Sequence, residues 1–389
     1  MANLKGKKAK EAAKLAEDKK LAASLGITPE ELADRNVPKV GFDEERERRF
    51  DYGTRSFVVT LDAIAPKIAF AVFELEKPKA KNAGAKKDKH SELLYGKKTK
   101  SLPKPGKNDD PGKAEAAQEE FKQMKKELNA VVKNQKKRLE LALMTGRCWS
   151  RDAWRKLFGE HPILRPLSFA LVWGIYEGGQ LVKSFRFRMD GLFYDAAGEV
   201  LELTENARIG LVFPAELTKE ERKAWQDQIW EDNMHDQPIE QLVRKTYIVH
   251  KQEAKKKELV RCKGQFFLDE MFGDKLEKFG WHQGCPIDEH DYFNLYYRED
   301  PDADLCVELH TSGNTPWDNM EIRLYGARFY KAGTFDWETH AYDEQDRGKA
   351  INLEDIPARY FSEVVRQIME AAAESYLGNE SDFPGEELE

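Results

Sequence analysis

The 389-residue sequence contains no apolar run near the ~18 to 20 residues needed to cross a bilayer, so a helical membrane span is excluded. Lysines, not an apolar signal core, follow Met1–Ala2–Asn3–Leu4, which points to a cytoplasmic chain. Cysteine is scarce. Cys148, Cys262, Cys285 and Cys306 lie far apart without a pairing framework, and each reads as a small buried hydrophobe in a reducing compartment. The phosphate-binding patterns G-x-x-x-x-G-K-[ST] and G-x-G-x-x-G, the G-x-S-x-G elbow, H-E-x-x-H and the protein-kinase signatures are all missing. ATPase, dinucleotide-dependent, α/β-hydrolase and zincin chemistry therefore have no support, and no cofactor is expected. No internal repeat appears.

What is present is charge, unevenly placed. The net charge is −7, yet the stretch from Lys77 to Arg138 holds 18 Lys and 1 Arg against 3 Asp and 5 Glu, a net of +11, leaving −18 for the remainder. A basic segment on an acidic body reads either as a contact surface for nucleic acid or an acidic partner, or as a solvated lysine-rich linker and helix face. Its aromatics are Tyr95 and Phe121 and its only arginine is Arg138, whereas base-reading surfaces use arginine and aromatic rings, so the solvated face is favoured.

The hydrophobic patterning predicts an α+β fold of mixed antiparallel sheets with a long central helix and a C-terminal helix. Residues 1–25 read as a thin Lys/Ala/Glu helix, and Thr28–Pro29–Glu30–Glu31 as a capped helix start. Strands are expected over 54–63 and 68–75, joined near Pro66, followed by a loop over 77–112. A helix over 113–144, a second from Ser150 to His161 and a third near Pro166–Tyr176 come next. Strand patterns follow at 181–188, 191–194, 200–203 and 209–213, then a helix from Thr218 and strands over 292–297, 305–309 and 321–330. A final helix covers 357–377. The expected division is an N-terminal helical segment (1–45), a two-stranded region with a basic insert (46–112), the main α+β domain (113–377) and an acidic tail (378–389).

Two clusters carry candidate chemistry. His282, Cys285, Asp288 and His290 are all zinc-ligand types within nine positions, with Cys306 and His310 downstream. Their spacing fits no standard finger, and a Gly/Pro-rich turn with exposed histidines explains them equally well. Arg138, Arg147, Arg151, Arg155 and Arg165 gather with Trp149, Trp154 and His161 around the end of the long helix. They read either as an anion site, since guanidinium forks grip phosphate and carboxylate, or as arginine–acid pairs at a helix corner. Asp109–Asp110 before Pro111 suits acid–base work or a helix lead-in.

The order of several segments resembles a known family. Asp51–Tyr52–Gly53–Thr54–Arg55–Ser56–Phe57 comes first, then Lys100–Ser101–Leu102–Pro103–Lys104–Pro105–Gly106 with Asp109–Asp110, then Arg138–Leu139–Glu140. Thr145–Gly146–Arg147–Cys148–Trp149, His161–Pro162–Ile163–Leu164–Arg165 and Leu171–Val172–Trp173–Gly174 complete the series. It looks like the C-terminal domain of unknown function of bacterial MolR-like proteins, named for molybdate metabolism regulation, with the closest likeness over 51–174. The resemblance implies company with WGR modules, MoxR-type ATPases and von Willebrand-A-like proteins, and so protein partners in a multi-component system. It implies no activity and no catalytic residue. This sequence carries no WGR module, so DNA binding by that route is not expected. The polar residues of these motifs, Arg55, Lys104, Asp110, Arg138, Arg147, Trp149 and His161, are the candidate anion or partner site. The leading expectation is a non-enzymatic interaction or regulatory domain. The alternatives are nucleic-acid binding through residues 77–138 and an enzyme acting on an anionic substrate.

Overall fold

The computed structural model describes residues 16–62, 69–76, 94–234, 237–261, 263–287, 293–314 and 321–377. They form an α+β fold that divides into two compact units. The first takes its described residues from Met1–Ala142, Cys148–Val212 and Glu216–Leu242, and the second from Leu143–Arg147, Phe213–Ala215 and Val243–Glu389.

In the first unit, helix α1 (Pro29–Arg35) opens as its sequence dictates. Thr28 accepts from the Glu31 amide and Glu31 reaches back to the Thr28 amide, with Pro29 at the first helical position. Strands β1 (Glu47–Asp51), β2 (Ser56–Asp62), β3 (Ala69–Glu76) and β4 (Leu94–Thr99) make an antiparallel meander. Residues 46–112, expected to hold two strands, thus hold four among those described. The charged run Glu47–Arg48–Arg49 concealed β1, an edge strand that places Phe50 inward, and Leu94–Thr99 pairs with β3 inside a stretch expected to be loop. The connection near Pro66 lies outside the described residues.

Helix α2 (Pro111–Thr145) buries Ala114, Ala117, Phe121, Met124, Leu128, Val131, Gln135 and Leu139, a three-and-four spacing that makes one continuous stripe. Strand β5 (Cys148–Ser150) leads into α3 (Arg151–Trp154), capped by the Ser150 hydroxyl and continuing as a π-turn over Arg155–Glu160. Helix α4 (Leu164–Ser168) then stops. The helix expected as far as Tyr176 is instead β6 (Val172–Glu177). Val172–Trp173–Gly174–Ile175–Tyr176 is β-branched and aromatic, and both of its edges find partners in β7 (Gln180–Phe187) and β10 (Arg208–Leu211). Gly178 and Gly179 turn β6 into β7 with φ of 56° and 83°, the left-handed pair a two-residue hairpin requires. With β8 (Phe193–Tyr194) and β9 (Val200–Leu201) the sheet runs β5-β10-β6-β7-β8-β9. Its core is aromatic, with Trp154 meeting Trp173 at 5.2 Å and Phe187 at 5.3 Å, both edge-on. Helix α5 (Lys219–Glu231), capped by Thr218 and Glu221, buries Trp225 and Ile229.

The second unit is a sheet of β11 (Phe266–Leu268), β12 (His282–Gln283), β13 (Phe293–Asp300), β14 (Leu305–Asn314) and β15 (Glu321–Tyr330), in the order β11-β15-β14-β13-β12. Helices α6 (Asp269–Lys278) and α7 (Ala358–Ser375) share its core: Phe272 and Leu276 from α6, Phe361, Val364, Val365 and Ile368 from α7, and Val307, Leu309 and Phe329 from the sheet.

Gly174 marks how tightly the second sheet is built, since a Cβ there would lie 2.4 Å from Leu181 Cδ1, 2.9 Å from Tyr176 Cε2 and 3.0 Å from Val212 Cγ2. Gly174→Ala is expected to destabilise the protein by about 1–3 kcal/mol through overpacking. In urea unfolding the midpoint should fall at unchanged slope, and an unaltered midpoint would contradict this packing.

Candidate functional site

The motif residues first meet around Asp109. Its Oδ1 accepts from the Thr54 hydroxyl at 2.7 Å and Arg55 Nε at 3.1 Å, and its Oδ2 from Arg55 Nη2 and the Gly106 amide, both at 2.6 Å. Asp109 is buried, and the Arg55 guanidinium first, then the Gly106 amide, hold its carboxyl well below the usual carboxylate range. Arg55 also donates to the Lys104 carbonyl at 3.4 Å and lies 3.7 Å from Glu74, while the Lys104 residue itself is exposed. Asp110 takes the helix lead-in role: its Oδ1 accepts from the Lys113 amide at 3.0 Å and its own amide donates to the Tyr52 carbonyl at 2.9 Å. The turn before it needs glycine. Gly53 has φ of 85°, and a Cβ there would sit 3.0 Å from Asp110 Cβ. The Tyr52 hydroxyl donates to the Pro103 carbonyl at 2.9 Å, and the Gln118 amide bridges both groups. The two motifs thus lock each other and the start of α2.

A second fastener lies at the far end of α2. Asp34 of α1, which no motif in the sequence singles out, accepts from Arg138 through Oδ1 and from Trp149 Nε1 at 2.8 Å through Oδ2. Arg138 also donates to the Glu30 carbonyl at 3.2 Å. His161 is buried. Its Nδ1 accepts from the amides of Ile163 and Leu164 at 3.2 and 3.3 Å, so its proton sits on Nε2, which donates to the Val37 carbonyl at 3.2 Å. Burial lowers its pKa and keeps the ring neutral. Asp110 and Arg138 are 28 positions apart on one helix, about 42 Å at the standard rise. Arg55, Lys104 and Asp110 therefore come together, Arg138 and Trp149 come together elsewhere, His161 caps α4, and partly buried Arg147 falls in the second unit. The residues do not converge on one point.

Of the zinc-type cluster, Asp288 and His290 lie outside the described residues. The His282 ring lies tilted beside Tyr297, with centroids 5.4 Å apart, and the Cys285 thiol donates to the His340 carbonyl at 3.0 Å. No group of three metal-ligand side chains forms among the described residues.

The structure gathers polar groups elsewhere, on one face of the second unit's sheet. Register aligns Glu299 with Cys306 and Tyr330, Tyr297 with Glu308 and Arg328, and Leu295 with His310 and Gly326. Glu308 sits at the centre of this three-by-three face and is 0% exposed. Tyr330 donates to its Oε1 at 2.5 Å, and His340 Nε2 lies 3.1 Å from its Oε2. His340 comes from the segment 331–350, which crosses this face. The same segment sets Trp337 Nε1 at 2.8 Å and the Gly333 amide at 2.7 Å on Glu299, and Tyr342 and Glu344 at 2.6 and 2.5 Å on Arg328. Phe335 stacks on the His340 ring at 3.8 Å, and Tyr342 on His310 at 3.4 Å. Burial, then the carboxylates of Glu299 and Glu308, pushes the Cys306 thiol up to about 12, which makes it inert. Burial and then Arg328 pull His310 down to about 4. Chemically, a carboxylate that orients an imidazole through Nε2 leaves Nδ1 as a base, and His340 Nδ1 has no hydrogen bond among the described residues. The same bonds fasten the strap. The alternation of Cys306, Glu308 and His310 against Leu305, Val307 and Leu309 was the available signal, but it reads as one wet face until the strap is seen to cover it.

Residues 96–281 match the model of a domain of unknown function (DUF4132). The chain is 32% identical over 268 residues to the uncharacterized protein YehI of Escherichia coli (strain K12), an alignment covering 68% of this chain and 20% of that protein. The chain therefore spans about a fifth of the length of that curated relative. No solved structure matches it. The DUF4132 match includes the Asp109 loop, α2 and the second sheet, while the Glu308 face lies beyond it.

The lowered His310 pKa fixes a sign. In the window between about 6.5 and about 4 the unfolded chain holds a proton there that the folded chain refuses, so stability falls as pH falls through it. His310→Gln should flatten this part of the pH–stability curve of the second unit's unfolding transition. An unchanged slope would contradict the buried, neutral imidazole.

Proposed function

We propose that this chain is a non-enzymatic interaction module with a regulatory role in a bacterial multi-component system. The observation that carries the reading is Trp230, which is 70% exposed on α5 while Trp154, Trp173, Trp225 and Trp281 are fully buried. Keeping an indole in water costs solvation free energy, and tryptophan is enriched among the few residues that dominate protein–protein binding. Near the end of α5, Gln228 and Asp232 hold the β7–β9 region through the Asp195 and Ala196 carbonyls and Arg186, and that region exposes Met189, Leu192 and Val200. The reading is further supported by Arg55, Asp110, Arg138, Trp149 and His161, whose hydrogen bonds described above fasten the fold internally. The much greater length of the relative also fits a part that works beside others. The MoxR-type ATPase systems implied by the resemblance to MolR-like proteins are the first protein partners to try.

The test compares the tagged chain with Trp230→Ala in pull-downs from native cells treated with nuclease. The variant should keep its circular dichroism and a Tm within about 2 °C of the parent, as exposed substitutions do, and lose the captured protein. Capture of the same set by both would overturn the reading.

A further inference from the structure

The outermost row of α2 carries charge that the fold does not use. Lys122, Lys126, Lys133 and Lys137 are all exposed. At 100° per residue they lie within about 60° of one another around the axis, roughly opposite the stripe of Phe121, Met124, Leu128 and Val131, and span about 22 Å. Between 122 and 137 the helix has six lysines and a single acid, Glu127. Glu127 accepts the Gln123 amide at 2.8 Å instead of pairing with a lysine. Lys122 is paired with Glu119 at 3.3 Å, at the acidic start of the row, whereas Lys126, Lys133 and Lys137 have no ion pair among the described residues. Asn129, Ala130 and Asn134 fill the gaps, so the row offers neither an apolar anchor nor an aromatic ring.

We infer that this row is a binding surface for the phosphate backbone of duplex nucleic acid, engaged without reading sequence. Complementarity favours this occupant. A protein partner would be anchored by buried apolar or aromatic contacts, which the row lacks. A nucleic-acid backbone presents a charge at every repeat, so flexible lysine stems can meet it in any register. The sequence outside residues 77–138 carries a net −18, so the row belongs to the basic part of an otherwise acidic chain. This surface is separate from Trp230 and stands or falls independently of the protein-docking reading.

The experiment is fluorescence anisotropy of a labelled 30-base-pair duplex with the full chain, at several KCl concentrations between about 20 and 200 mM. Four phosphate contacts predict a slope of log K against log salt near −3.6, with a Kd of about 10⁻⁶–10⁻⁴ M. The triple variant Lys126→Gln, Lys133→Gln, Lys137→Gln should flatten the slope by about 2.7 and keep its circular dichroism. The control Lys219→Gln, Lys223→Gln, on exposed positions of α5, should bind as the parent does. No binding at the lowest salt, or a triple variant with the parent's slope, overturns the inference. So does a duplex that binds no better than poly-L-glutamate competes for the same site, since an acidic protein would then be the occupant.

Discussion

A buried aspartate that must be satisfied from several directions governs the first unit. Asp109 accepts from Thr54, Arg55 and Gly106, groups that belong to a strand-leading turn and to a proline-rich loop with no regular structure of its own. A buried carboxylate left unpaired is costly, so the turn and the loop can settle only together. Once they do, Asp110 is set as the cap of α2, and α2 carries the stripe on which that unit's packing rests. The same device recurs. Asp34 joins α1 to the far part of α2 and to Trp149, and Glu308 joins its sheet to the strap over it. In the second unit Glu363 takes Arg244 at 2.6 Å and Arg366 at 2.9 Å, all three buried. Removing one partner of such a pair leaves an uncompensated charge, which is why these sites fix conformation more than they add net stability.

This explains how a string of polar motif residues can look like an active site. Arginine, aspartate, histidine and tryptophan are the side chains that catalysis recruits, and they are also the ones with enough donors and acceptors to saturate a buried hub. His161 is the clearest case. Two amides occupy its Nδ1, so the nitrogen a general base would need is already engaged in capping a helix.

Local rules made much of the fold legible. The capping boxes at Thr28 and Thr218 and the three-and-four spacing along α2 need only neighbours in sequence to be read. Pairing is not local. Val172–Tyr176 satisfies a helix pattern as well as a strand pattern, and only the two flanking strands decide it. Leu94–Thr99 reads as loop until β3 supplies the ladder. Of the candidate site, the membership of Arg55, Arg138, Trp149 and His161 in something specific was legible. Their grouping was not, because the organising acid is 104 residues from Arg138 in one case, and in the other 54 residues from Arg55 on a loop. Glu308 was invisible for a related reason: the strap that buries it begins more than 20 residues after Glu308 and carries no recognisable pattern.

The claim that the motif residues are fasteners is tested most directly by a double-mutant cycle at Arg55 and Asp109, read by thermal unfolding at pH 7. Arg55→Met and Asp109→Asn should each lower Tm, and the double variant should unfold close to the worse single, because the second change removes an interaction already lost. Two losses that simply add would contradict the account, since the pair would then be independent and its place in the motifs would call for another explanation.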